Sequence, residues 1–369
     1  MRILCKKSDL LNGLSIVSKA VPSKTTMSIL ECILVDSTNG NIKLTANDME
    51  LGIETVIEGQ IVEKGIVAID AKIFLEIVRK LPDSTVSIDT DDDYKTYIKC
   101  EKSKFTIIGK SGEDFSYLPQ VAKNNPVILS QYSLKDVIRQ TIFSIAENDS
   151  NKIMAGELFE INDNKLRVVS LDGHRISIRN IEMKNSYDNK KVIIPGKTLN
   201  EISKILSGNV EEDVSIFFTD KHVVFEFDNT TVISRLIEGE YFKIDQMLNS
   251  NYETKVSINK KEFLSCIDRA TLLVKEGDKK PIIVNIEESK LELKINSTLG
   301  SMDEDIDITK EGKDLKIGFN PKFLIDALKV IDDEVIDMYM FNSKAPCFIK
   351  DADQNYIYLI LPVNFNNVG

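Results

Sequence analysis

The feature that most restricts how this chain can fold is a threefold repeat with a period of about 125 residues. DAKIFLEIVRKLP (70–82), PGKTLNEISKILS (195–207) and NPKFLIDALKVID (320–332) align without a gap, and their lysines, Lys72, Lys197 and Lys322, stand 125 residues apart. Self-similarity at a fixed long period means that one supersecondary unit recurs along the chain. The apolar columns Phe74/Leu199/Leu324, Ile77/Ile202/Ala327 and Leu81/Leu206/Ile331 recur at i, i+3 and i+7, which predicts an amphipathic helix in each copy. A second helix opens at Asp9, Asp136 and Glu262, with offsets of 127 and 126. Between the helices lie alternating or β-branched runs such as GNIKLTA, TVSIDT, KLRVVSL, HVVFEF, KLELKIN and NYIYLILPV, bounded by Asn, Asp, Gly and Ser. These read as strands joined by turns. A chain of 369 residues exceeds one ordinary core. The expected architecture is α+β, with three repeated domains at 1–125, 126–250 and 251–369, each with two helices packed on antiparallel sheets.

Charge bears on what such a body can touch. Lys plus Arg number 47 and Asp plus Glu 58, a net charge of −11. An acidic protein is repelled from phosphate unless its cations are gathered on one surface. The repeat supplies such a gathering. Lys72 is followed seven residues on by Arg79, Lys197 by Lys204 and Lys322 by Lys329. Two helical turns separate the members of each pair, so they share the face opposite the apolar stripe. A single pair reads most simply as a solvated helix surface; three at equivalent places predict a basic lining that meets a polyanion.

The chemistry-bearing candidates are few. SLDGHRIS (170–177) gathers Asp, His, Arg and Ser around one of only two histidines. A hydrolytic triad needs nucleophile, base and orienting acid to converge in space, which sequence neighbours rarely do. No GxSxG elbow, phosphate-binding GxxxxGK[ST] loop or HExxH pair accompanies it. A sequence-reading DNA regulator would require a helix-turn-helix with a recognition helix, and none is apparent. The five cysteines, at 5, 32, 100, 266 and 347, form no CxxC pair, which fits reduced thiols in a cytoplasm and no metal site. The start, MRILCKKSDLL, lacks the apolar run of a secretory signal, and no eighteen-residue apolar stretch predicts a membrane helix. No catalytic residue, cofactor or metal is expected.

The repeat together with TANDMELGIE (45–54), SLDGHRISI (170–178), IPGKTLNEI (194–202), SRLIEGEYF (234–242) and YLILPVNF (358–365) resembles the bacterial DNA polymerase sliding clamps, the beta subunits of DNA polymerase III, over essentially the whole chain. The resemblance implies three clamp-type domains, and two protomers closing head to tail into a ring whose channel is lined by helices. Such a ring encircles duplex DNA without reading sequence and tethers the replicative polymerase and other DNA-processing proteins. It implies a homodimer, double-stranded DNA, the clamp loader and partners bearing short hydrophobic peptides, in the cytoplasm and away from membranes. The dimer interface would bring Lys102, Lys104, Phe105 and Ile107 against Leu272, Leu273, Asp303, Glu304 and Asp305 of a second copy. Lys24 and Asn148 would touch DNA, beside the six helix cations of the repeat. A partner-peptide pocket would comprise Met154, Leu171, Gly173, His174, Arg175, Ile176, Phe242, Gln246 and Met247, with Leu359, Ile360, Leu361, Pro362, Val363, Asn364 and Phe365. Family members usually carry proline at the place of Phe242, and arginines at Gln246 and near Asn364; a terminal NNVG runs past the usual end. The alternative reading is a DNA-binding or protein-interaction scaffold of replication and repair that forms no ring.

Overall fold

The structure, a computed structural model, describes residues 1–146, 151–248, 251–275 and 280–365. Among these, seven α-helices form: α1 (Lys7–Val17), α2 (Ala71–Lys80), α3 (Gln131–Thr141), α4 (Gly196–Ile205), α5 (Asp245–Leu248), α6 (Lys260–Thr271) and α7 (Pro321–Val330). Six are the helices that the repeat predicts, although α3 opens at Gln131, five residues before the expected Asp136; the one-turn α5 is additional. Local signals set their ends. Asp70 caps α2 by accepting from Ile73 N at 2.8 Å, and Asn259 and Asn320 cap α6 and α7 in the same way, each at 3.0 Å. Pro321 occupies the first turn of α7, where its missing N–H is not needed. Among the described residues no helix is long and apolar enough to cross a membrane.

The apolar columns are buried at every position but one. Phe74, Leu199, Leu324, Ile202, Ala327, Leu81, Leu206 and Ile331 are all buried, whereas Ile77 is half-buried and Val78 takes its place against the core. The stripe of α2 is rotated by one residue, because Phe74, Val78 and Leu81 follow the i, i+4, i+7 diagonal. The five cysteines are free and buried.

The chain divides into two compact units, Met1–Lys135 with Lys197–Leu236, and Asp136–Gly196 with the chain from Ile237 onward. The first unit holds two antiparallel sheets. A five-stranded sheet runs in the order Gln60–Glu63, Arg2–Lys6, Thr85–Thr90, Lys95–Cys100 and Ser103–Ile108. A nine-stranded sheet continues from Lys110–Ser111 through Ile66–Asp70, Cys32–Asp36, Ile42–Asn47 and Leu51–Ile57 to Thr230–Arg235, His222–Phe227, Asp213–Phe218 and Val127–Ser130. The second unit is built on a ten-stranded sheet in which Gly156–Leu171, Arg175–Pro195 and Tyr356–Ile360 lead into Cys347–Lys350, Val335–Met340, Thr254–Asn259, Gly300–Gly312, Lys290–Ser297, Ile282–Glu287 and Leu315–Phe319. Each large sheet therefore runs through a repeat boundary: Val232 pairs with Ile53 in one, and Ile176 with Leu359 in the other.

Alternation sorts the side chains of the ten-stranded sheet onto two faces. Tyr356, Tyr358 and Ile360 enter the core that α6 and α7 cover, with Phe263, Cys266, Leu324 and Leu328. Ile357 and Leu359 enter a separate cluster. That second cluster positions the candidate site.

Candidate functional site

The hairpin Gly156–Leu171/Arg175–Pro195 turns at Asp172-Gly173-His174. Asp172 Oδ1 accepts from His174 N at 3.0 Å and from Arg175 N at 3.2 Å, an Asx turn that fixes the loop from within. Gly173 sits at φ +84°, a region L side chains rarely adopt, with open space around it. Leu171 pairs with Ile176 across the turn, Ile176 pairs with Leu359, and Leu361 N donates to His174 O at 2.9 Å. The sheet thus brings SLDGHRIS and the last strand side by side.

On one face Leu171, Ile176 and Leu359 pack with Leu158, Val169, Ile178, Ile193, Ile244, Phe348 and Ile357 in a buried apolar cluster. Met154, Tyr241 and Leu248 pack against it half-buried, and Tyr241 OH donates to Val169 O at 3.2 Å. Phe242 meets the Tyr241 ring edge-on at 5.9 Å and is exposed, as are Leu361 and, on α5, Gln246 and Met247. This is an apolar floor with adaptable aromatic and thioether side chains along its margin, suited to holding a hydrophobic peptide.

Two residues of the expected pocket turn their side chains to the opposite face. Ile360 lies in the core under α7. Arg175 is buried, ion-paired to Asp172 at 3.0 Å and to Asp326 of α7 at 2.7 Å, and donates to Phe143 O. Its guanidinium lies 4.6 Å from the Phe323 ring centre and 5.3 Å from that of Phe143, and the His174 ring stacks on Phe323 at 6.0 Å. Arg175 thereby ties the turn to α7 and leaves the groove to its neighbours. Val363 and Phe365 pack toward Gly318: Val363 N bonds the Gly318 carbonyl at 2.8 Å, and a Cβ there would stand 2.8 Å from Phe365 Cδ1. Pro362 is half-buried and Asn364 exposed.

Two strand edges stand open. Ser103–Ile108 ends the five-stranded sheet, with Lys102, Lys104 and Phe105 exposed, Ile107 half-buried and Ile108 84% exposed. In Gly300–Gly312, residues 300–307 pair with Lys290–Ser297 and residues 308–312 with Thr254–Ile258, so among the described residues the outer edge of 300–307 carries no strand. Leu272 beside it is 78% exposed and Leu273 half-buried. The acidic cluster is partly balanced within the chain. Glu304 binds Arg269, whose Nε stands 2.9 Å away, Lys290 approaches Asp305 at 3.3 Å and Lys294 approaches Asp303 at 3.6 Å. Arg269 holds the Glu304 carboxyl below its ordinary range.

The six helix cations are all exposed. Arg79 pairs with Glu76, Lys197 with Asp48, and Lys204 with Glu201 at 2.7 Å; Lys72, Lys322 and Lys329 have no ion pair among the described residues. Lys24 is exposed in the loop after α1, and Asn148 lies outside the described residues. Among the described residues no group of three or more His, Cys, Asp or Glu could hold a metal.

The sequence carries one family in three consecutive parts: residues 1–119, 128–243 and 245–364 match the N-terminal, central and C-terminal domains of the DNA polymerase III beta subunit. The chain belongs to this family, the DNA sliding clamps. The beta sliding clamp of Staphylococcus aureus (strain N315) is 35% identical over 98% of this chain and 99% of its own length. A putative DNA polymerase III beta subunit from Eubacterium rectale superposes with a TM-score of 0.97 at 70% identity over the whole of both chains. The DNA polymerase sliding clamp of Bacillus subtilis does so with 0.95 at 31% over 99% of each. The fold is accordingly three clamp domains of α+β type, and its function is that of a DNA sliding clamp.

Proposed function

We propose that two copies associate head to tail into a closed ring around duplex DNA, and that the groove beside SLDGHRIS receives hydrophobic peptides of the polymerase, the clamp loader and other partners. The observation that carries the ring is the pair of open edges, Ser103–Ile108 in one unit and 300–307 in the other. An exposed edge strand invites pairing with another chain, and two non-identical edges make a heterologous contact, which gives a closed ring of two copies when the rotation between them is a half turn. Phe105, Ile107, Ile108, Leu272 and Leu273 supply its apolar centre. Lys102 and Lys104 face a cluster already partly neutralised, so charge sets register more than affinity. The repeats 1–125, 126–250 and 251–369 serve as the three clamp domains. Lys24 and the six helix cations hold phosphate without reading bases, which leaves the ring free to slide. The protein works in the bacterial cytoplasm as a processivity factor with no catalytic site of its own.

The test is topological. Loaded on nicked circular DNA, the protein is expected to co-purify with the circle and to leave when one cut linearises it. Retention on a linear fragment with free ends would exclude the ring and favour a scaffold that grips DNA directly. Ile108→Asp with Leu272→Asp is expected to give monomers by sedimentation, while the peptide groove still binds.

A further inference from the structure

The turn that builds the peptide groove occurs a second time, in the first unit. Asp48 Oδ1 accepts from Glu50 N at 3.0 Å and from Leu51 N at 2.7 Å, as Asp172 does for His174 and Arg175. Met49 stands at φ +76°, where Gly173 stands at +84°. Asn47 pairs with Gly52 as Leu171 pairs with Ile176, and Gly52 pairs with Ile233 as Ile176 pairs with Leu359. Arg235 N donates to Glu50 O at 2.9 Å, the counterpart of the 2.9 Å bond from Leu361 N to His174 O. The backbone frame is thus reproduced bond for bond about 125 residues earlier.

The frame encloses a cleft of about 260 Å³. Its floor is apolar, formed by Leu118 and Ile233 with Phe217 and Val224 beneath, and its margin carries Met49 and Tyr117, exposed at 52% and 61%. It is cationic on one side. Arg235 lines it exposed, without ion pair or side-chain hydrogen bond among the described residues, and Lys221 is exposed next to half-buried His222. Burial and then the charges of Arg235 and Lys221 lower the proton affinity of His222, so the local field favours an anion. Glu50 is the one acid among the lining residues; Asp48 is engaged by Lys197.

We propose that this cleft is a second docking site on each chain, for a short peptide that carries an apolar side chain next to a carboxylate. The apolar group sits over Leu118 and Ile233 between Met49 and Tyr117, and the carboxylate meets Arg235. The proposal rests on the reading of the second-unit groove as a peptide receptor, and the two can be tested apart. The chain has two histidines: His174 lies in the turn that borders the second-unit groove, its ring on Phe323, and His222 lines the first cleft.

The full-length, isotope-labelled protein is titrated with acetyl-Asn-Leu-Phe as free carboxylate and as amide, so that the amide carries no carboxylate, following both imidazoles by NMR. Both histidines are expected to shift with separate midpoints, and the amide is expected to weaken the His222 response. Arg235→Glu, at an exposed position, is expected to weaken that response by about tenfold or more and to leave His174 unchanged. Arg235→Ala gives an intermediate loss. His222 resonances that stay still at peptide concentrations saturating His174 would overturn this proposal alone, as would an unchanged His222 midpoint in Arg235→Glu. Silence from both histidines would overturn the groove reading as well.

Discussion

The two Asx turns, at Asp48 and Asp172, share a frame and differ in what fills it. In the first unit the position before the groove residue is Leu51 and the groove residue is Gly52. Leu118 takes the space a side chain would occupy, its Cδ2 2.1 Å from a Cβ built on Gly52. In the second unit the corresponding residues are Arg175, clamped between two aromatic rings and two aspartates, and Ile176, which supplies its own floor. A neighbouring position differs in the same spirit. Ile33 pairs with Ile69 and is fully buried; its counterpart Glu157 pairs with Ile194 and is equally buried, with neither carboxyl oxygen hydrogen-bonded. Backbone geometry is therefore set by the turn and the antiparallel register, while side-chain content decides whether the frame borders a charged cleft or an apolar cluster. At these two positions the first unit has apolar residues, Leu51 and Ile33, and the second has buried ionisable ones, Arg175 and Glu157.

That contrast can be broken most severely at Arg175. Arg175→Ala removes the shared partner of Asp172 and Asp326 from a buried site, and is expected to cost about 3–5 kcal/mol of unfolding free energy in urea. Leu51→Ala at the equivalent place, which strands no charge, is expected to cost less. An equal loss at both would mean that Arg175 contributes packing alone.

A smaller effect follows from Glu157. Burial pushes its carboxyl up to about 8, and the neighbouring Thr141 hydroxyl is committed to Val137 O at 2.8 Å. The folded state keeps the proton that the unfolded chain releases near pH 4.5. The stabilisation is thus fully present below that pH and is lost as pH rises through 8, at about 1.4 kcal/mol per unit within the window. Urea midpoints between pH 5 and 9 should fall for the native protein, and flatten in Glu157→Gln and in Glu157→Ile, which restores the residue of the first unit. A slope that persists in both variants would assign the pH dependence elsewhere.

The smallest effect concerns the turns themselves. Asp172→Ala and Asp48→Ala each remove two short-range bonds to backbone N–H groups and are expected to cost about 1–2 kcal/mol apiece. The excess at Asp172 measures its ion pair with buried Arg175, over the pair of Asp48 with the exposed Lys197.

The repeat made most of the helical framework legible, because an apolar stripe recurring in three copies is hard to produce by chance. It misplaced Ile77 only because the first helix uses the adjacent diagonal. The groove was legible as a location through Leu171, Ile176 and Leu359. The inward turn of Arg175 and Ile360 was also written in the sequence, since period-two alternation places each on the face opposite its groove neighbour. What no local pattern carries is long-range partnership. The approach of Lys290 and Lys294 to the acidic cluster follows from sheet register, and that of Arg269 from a helix crossing the sheet. Equally, Gly52 gives no hint that Leu118, sixty-six residues later, will fill its side.

The sheets that run through the repeat boundaries make the repeat a unit of sequence and not of excision. Cutting the chain after residue 125 would strip Leu51–Ile57 of Thr230–Arg235, and cutting after residue 250 would strip Arg175–Arg179 of Tyr356–Ile360. Each fragment would present a freshly bared, largely apolar strand to its own kind. Shortened versions of this protein should therefore be obtained as aggregates or as swapped assemblies rather than as single working modules, and dissection by point substitution in the intact chain is the sounder route to its parts.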